Sequence, residues 1–160
     1  MKAPGKGAAH LARPMRIGWK EVIDLPAWGI RGLLAKADTG ARGSAIDVES
    51  VRRTGSGRVR FSIVLRRKDR SDVREVEADI VETKKIRSSN GEVQERYVVR
   101  TVVRIGKVSR EVDFSLVSRH RMICRALLGR HALEGAFLVD SGGKYLHGPR
   151  VKPRKIKPKA

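Results

Sequence analysis

The chain has 160 residues, one domain's worth with tails, and carries 36 Lys plus Arg against 17 Asp plus Glu, a formal charge of +19. The single cysteine, Cys124, excludes an internal disulfide, and no stretch approaches a membrane span. The N-terminal cations are followed by no apolar segment of the kind a signal peptide needs, so the cytoplasm is the expected compartment.

Residues 1–15 are broken by Gly, Ala and Pro and read as a disordered basic arm, and residues 149–160 read as a disordered basic tail. The tail from Arg150 holds six cations and Met1 to Arg16 four, neither with an acid, so Ile17 to Pro149 retains +9. The core itself is therefore basic. That suits solubility, and it equally suits a polyanionic partner such as RNA, the ribosome surface or an acidic peptide.

Between the tails, 16–148 reads as one all-β domain. Arg16 to Ile23 reads as a strand, Leu25 to Ile30 as a turn, and Gly32 to Ala37 as a strand running into Asp38-Thr39-Gly40-Ala41. Ser44 to Val48 continues as a strand, and Thr54-Gly55-Ser56-Gly57 is a turn. Val59 to Leu65 alternates as a half-buried strand, Arg66 to Asp72 is a charged hairpin tip, and Val73 to Val81 returns. Ser88-Ser89-Asn90-Gly91 then carries the Asn-Gly signal of a two-residue hairpin. Tyr97 to Ile105, Gly106-Lys107 and Val108 to Val117 read as strand, tight turn and strand. Leu127-Leu128-Gly129-Arg130 follows, with His131 to Glu134 as a short helix and Phe137 to Val139 as a final strand. Asp140-Ser141-Gly142 comes after it and reads as a plain turn.

Asp38-Thr39-Gly40 is common turn chemistry when it stands alone. Its position after a strand, ahead of a hairpin and an apolar-apolar-Gly-Arg segment, resembles a retroviral-type aspartic protease, a retropepsin. That chemistry needs two carboxylates, and the chain has one such motif. The resemblance therefore implies a homodimer, each subunit a β barrel with one short helix after Leu127 to Arg130. A water lies between two aspartates that share one proton: the ionised one takes a proton from the water, and the protonated one polarises the scissile carbonyl. In this reading Asp38 is catalytic, Thr39 ties the two turns across the dimer axis, and Gly40 permits close approach of its symmetry mate. Leu127, Leu128, Gly129 and Arg130 support the site, with Arg130 bonding near the catalytic turn.

The match narrows through Ile17-Gly18-Trp19-Lys20-Glu21, Ala37 to Arg42, Ser88 to Gly91, Glu95-Arg96-Tyr97-Val98 and Leu127 to Arg130. These segments, in this order, are similar to a bacterial family of retropepsin-like proteins often labelled "ATP-dependent zinc proteases" and associated with ATP-grasp glutamate ligases. The resemblance covers Ile17 to Leu146 and implies trimming of glutamate-rich protein tails. Arg42, Arg87 and Arg96 are the candidate carboxylate holders, since a guanidinium pairs with a carboxylate at two points. Ala41 and the flap tip Ser88, Ser89, Asn90 and Gly91 complete the expected substrate contacts. Two positions depart from the family pattern: Gly43, where a hydroxyl residue is expected, and Asp47, where a histidine is expected.

The zinc and ATP of that label find no residues here. His10, His120, His131 and His147 form no ligand cluster, and neither Gly5-Lys6 nor Gly106-Lys107 is followed by the hydroxyl residue of a phosphate loop. The expected cofactor set is none. Two rival readings remain open: a non-catalytic nucleic-acid or ribosome-binding β-barrel module, and a retropepsin fold that binds acidic peptides without cutting them.

Overall fold

The structure, a computed structural model, describes residues 13–159. Its strands are β1 (Met15–Leu25), β2 (Ile30–Ala37), β3 (Ser44–Gly55), β4 (Arg58–Arg66), β5 (Asp69–Arg87), β6 (Val93–Ile105), β7 (Val108–Val117), β8 (Ala126–Leu128), β9 (Phe137–Lys144) and β10 (Arg154–Lys155). One four-residue helix, α1 (Arg130–Leu133), interrupts them. The all-β fold with a single short helix after Leu128 is the expected class.

The strands form one curled sheet in the order β10-β2-β8-β3-β4-β5-β6-β1-β9, with β7 bridging β3 and β6 and β1 also pairing β2. Strand alternation directs Ile17, Ile23, Leu33, Ile46, Phe61, Ile63, Val99, Ile105 and Phe114 into one fully buried interior. Trp28 meets Phe61 edge-on, ring centres 5.6 Å apart, so it packs the core. Trp19 lies at the surface between Lys20 and Lys144, 5.5 and 5.2 Å from its ring.

Long β5 serves two partners. Its first half pairs with β4 and its second with β6, across an irregularity between Ile80 and Glu82. The hairpin expected as the flap is thus the far end of a strand that begins in the body. Its tip differs from the expected two-residue turn. Arg87 pairs with Val93, leaving Ser88 to Glu92 as the loop. Ser88 N–H donates to Glu92 O at 2.8 Å, Gly91 N–H donates to Ser88 O at 3.0 Å, and only Gly91 takes a left-handed angle, φ 86°. A type I′ turn would need Asn90 there too.

Two boundary expectations change. Of the expected N-terminal arm, residues 1–12 lie outside the described residues, and Met15 already begins β1, donating to Ala136 O at 2.9 Å. The C-terminal segment is not a free tail. Arg154 and Lys155 pair with Arg31 and Ile30, Ile156 N–H donates to Gly29 O at 2.8 Å, and Lys159 N–H donates to Pro26 O at 2.9 Å. The reason is main-chain demand: β8 covers β2 only at Ala35–Ala37, so the start of β2 presents an open edge that another strand satisfies. Asp140-Ser141-Gly142 also differs from expectation, lying inside β9, which runs on to Lys144 parallel to β1. Among the described residues no helix is long and apolar enough to cross a membrane.

Candidate active site

β2 ends at buried Ala37, which pairs with Leu128 of β8. The next residue is Asp38. Its N–H donates to Leu128 O at 2.8 Å, so the neighbouring strand fixes where the carboxylate leaves the sheet. Asp38 Oδ1 accepts from Gly40 N–H at 2.9 Å, and Ala41 N–H donates to Asp38 O at 3.2 Å. The turn is closed on itself while Thr39 and Gly40 face solvent and Asp38 is half-buried.

The Leu-Leu-Gly-Arg segment braces this turn from behind. Leu128 is buried, and Gly129 N–H donates to Ser44 Oγ at 3.0 Å. A Cβ on Gly129 would lie 2.2 Å from Gly43 O and 3.0 Å from Ala41 O, both backbone atoms, so only glycine fits there. Arg130 N–H donates to Ala41 O at 2.8 Å, and its guanidinium Nη1 donates to Gly40 O at 3.0 Å and Thr39 O at 3.2 Å. His131 N–H donates to Arg42 O at 3.1 Å, and Arg42 Nε–H donates to His131 Nε2 at 3.2 Å, which sets the proton of a neutral His131 on Nδ1. Asp38–Arg42 and Leu127–Arg130, 90 residues apart at Gly40 and Arg130, thus form one unit.

A cleft of about 710 Å³ opens beside this unit, between Arg42–Ser44 and the outer faces of β5, β6 and β7. Its walls carry both signs: Arg42, Lys84 and Arg100 against Glu82, Glu111 and Asp113. Arg100 is paired with Asp113 at 2.7 Å, which holds its guanidinium above its ordinary pKa. Of the three candidate arginines, Arg42 lines this cleft. Arg87 stands exposed at the end of β5, and Arg96 sits half-buried opposite Lys84, its pKa lowered by burial and by the nearby Arg119. Ser88, Ser89, Asn90 and Gly91 project at the hairpin tip with both flanking strands exposed. Sequence reading missed Lys84, Arg100, Asp113 and His131. Strand alternation in the β6–β7 register, which pairs Arg100 with Asp113, is the signal that points to two of them.

Arg42 and His131 also border a second, shallow hollow, where Arg130 and Glu134 flank a mainly apolar surface of Leu133, Phe137, Leu138 and Val139. Leu138 is 60 % exposed there.

Position 43 is open: a Cβ built on Gly43 meets nothing within 4 Å, so the backbone there would also accommodate the expected hydroxyl residue. Position 47 is different. Asp47 is fully buried, accepting from Arg70 Nη1 at 2.7 Å, Arg70 Nη2 at 2.9 Å and Arg119 N–H at 3.0 Å, and it also pairs with buried Arg125. Burial lowers the pKa of the Arg125 guanidinium, and Asp47 opposes that shift. Arg70 is raised, first by its hydrogen bonds to Asp47. Arg125 N–H in turn donates to Leu34 O at 2.9 Å, just before β8 reaches the Asp38 turn. Among the described residues no group of three or more His, Cys, Asp or Glu is placed to hold a metal.

The sequence over residues 16–150 matches the family described as RimB-like, retropepsin-like aspartic endopeptidase RimB. Curated relatives include a probable alpha-L-glutamate ligase of Shewanella halifaxensis, 34 % identical over 135 residues, covering 82 % of this chain and 30 % of that protein. A protein of the same description from Parasynechococcus marenigrum is 30 % identical over 141 residues, covering 86 % and 30 %. The chain therefore spans about 30 % of the length of these relatives. A solved structure, a Legionella pneumophila protein of unknown function, shares the fold with a TM-score of 0.69 at 23 % identity, covering 84 % of this chain and 99 % of that one.

Proposed function

From the premise that this chain belongs to the RimB-like family of retropepsin-like aspartic endopeptidases, we propose that it hydrolyses peptide bonds as a homodimer in which each subunit contributes Asp38. The observation that carries the reading is the Asp38 turn itself: a carboxylate placed by Leu128 O, closed by Gly40, braced by Arg130 and left open to solvent on its outer side. Two such turns face to face supply the dyad. One carboxylate stays ionised and one protonated because two adjacent negative charges repel, as is known of aspartic-protease dyads. The apolar hollow with exposed Leu138 is the surface that supports subunit contact beside the turn. The β5–β6 tip covers substrate, and the cleft beside Arg42 takes the residues flanking the cut bond.

Acidic, glutamate-rich tails are the proposed substrate class. The support is the glutamate chemistry in the relatives' names and the basic character of the chain, which steers anions toward it. Asp38→Asn tests the mechanism. It should fold and sediment as the parent does while hydrolysis falls about 10²–10⁴-fold, the scale of a lost acid–base group. Undiminished hydrolysis by that variant, or a monomeric active parent, removes the dyad. Matched Glu-rich and Lys-rich peptides across a salt series test the substrate class. Equal cleavage of both rejects it.

A further inference from the structure

A second cleft, about 600 Å³, shares no lining residue with the cleft beside Arg42 or with the apolar hollow. It opens between the Arg66–Lys68 tip of the β4–β5 hairpin, the β1–β2 face at Lys20 and Leu34, the chain ahead of β8, and the segment from Arg150 to Pro153. No acidic residue lines it. Arg66 is held by Asp69 and Asp72, and Arg125 by Asp47. Lys20, Arg67, Lys68, Arg150 and Lys152 form no ion pair among the described residues. Five uncompensated cations thus line one opening together with the apolar side chains of Leu34, Leu65 and exposed Ile123.

We propose that this cleft binds the phosphate backbone of single-stranded nucleic acid. Clustered like charges repel one another, and closely spaced anions relieve that repulsion while releasing condensed counterions. No aromatic side chain lines the cleft, so bases find no stacking platform and the contact is with phosphates, independent of sequence. An acidic peptide fits it less well. Extended peptides commonly add to an open strand edge, and here β10 already occupies the start of β2. The cations line a recess of about 600 Å³ and not a flat face, so the backbone that reaches them together is one that bends into the opening, as a flexible single strand does. The docked C-terminal segment builds the site, since pairing of Arg154 and Lys155 with β2 is what holds Arg150 and Lys152 at its rim.

The test is fluorescence anisotropy of the full chain with labelled 20-nucleotide uridine and thymidine oligomers from 50 to 200 mM salt. Five phosphate contacts to a single strand predict a log–log slope of about −3.5, a loss of affinity of about 100-fold over that range. Equal binding of the two oligomers shows that the backbone alone is read, and tighter binding of the uridine oligomer that the ribose is read as well; both support the site. Arg67→Glu/Lys68→Glu/Lys152→Glu should weaken binding at least about tenfold at 50 mM salt and flatten the slope to about −1.4. If that variant fails to melt like the parent, Arg150→Ala/Lys152→Ala reads the opposite wall and should flatten the slope by about 1.4. Asp38→Asn should bind as the parent does, which separates this site from the peptidase reading. Unchanged affinity and slope in the folded charge variants overturns the proposal. So does displacement of the oligomer by polyglutamate of equal charge as effectively as by unlabelled oligomer, which would assign the cleft to acidic peptide.

Discussion

Replacing Asp47 with asparagine keeps the shape of the side chain and removes one charge. Asp47 and Arg125 are both buried, at 0 % and 1 % exposure, and Arg125 Nε has no hydrogen-bond partner. The variant leaves the Arg125 guanidinium buried without a counter-charge, while Arg70 keeps Glu49 at 2.6 Å. Breaking a buried pair by removing one partner costs about 3–5 kcal/mol. The retained amide oxygen places this change near about 3 kcal/mol, which for a chain of this length lowers Tm by roughly 6–12 °C. Thermal and urea unfolding followed by circular dichroism at pH 7 measure it. A Tm within about 2 °C of the parent would refute the assignment of Asp47 as the charge that makes Arg125 tolerable. Asp47→His, the residue the family resemblance leads one to expect, should destabilise similarly, because a neutral ring cannot balance two guanidinium groups. Asp47→Leu/Arg125→Met, which removes both charges, should recover most of the loss, since apolar replacement of a buried ion pair is often close to neutral.

Gly129→Ala forces a Cβ against Gly43 O, so the braced turn must shift, and hydrolysis should fall together with Tm. Arg130→Ala removes two bonds to the carbonyls of Thr39 and Gly40 from an exposed side chain, so activity should fall more than Tm, read as a kcat loss at near-parental unfolding. Burial raises the pKa of the Cys124 thiol against the pull of Lys20 and Arg125. A thiol-reactive chromophore at pH 7 should therefore label it slowly in the native chain and rapidly in urea, and rapid native labelling would contradict that burial. The Glu77 carboxyl is held below its ordinary value, first by the Thr54 hydroxyl and then by Arg58 and Arg60. Its contribution is present above the unfolded-state value and lost as pH falls through the folded one. Glu77→Gln should therefore make stability less steep in pH below about 4.5, by acid titration of Tm.

The parts of the site that are readable in the sequence are those whose chemistry is local. An aspartate after an apolar strand, a Thr-Gly turn and a Leu-Leu-Gly-Arg segment each announce a backbone conformation within a few residues, and the fold joins them through short main-chain bonds. Asn90-Gly91 announces a loop but not its length, because Asn90 uses its side chain on Glu92 N–H at 3.3 Å and leaves the left-handed position to Gly91 alone. Arg87 and Arg96 looked equivalent to Arg42 by chain distance from the motifs. On β5, Arg87 has the opposite parity to the cleft residues Glu82 and Lys84, whereas Arg96 shares the parity of Val98 and Arg100 but lies further toward the hairpin tip.

Long-range compensation is where sequence reasoning loses its grip, for a physical reason. The C-terminal segment has no apolar periodicity to mark it as structure. What holds it is the unpaired edge of β2, a main-chain property that no side-chain pattern announces. Asp47 shows the same limit from the other direction. Judged by its neighbours it is a departure from pattern at a position that should hold histidine. Judged in space it is the one carboxylate that lets Arg125, 78 residues away, stay buried beside Leu34 while Arg70, 23 residues away, closes the pair from the surface. Arg125 N–H fixes the start of β8, and β8 carries the carbonyl that places Asp38. Asp47, on the strand that follows the Asp38 turn, is thus linked to that turn through Arg125 and the length of β8, which is why the stability of the Asp47 variants and hydrolysis by them should decline together.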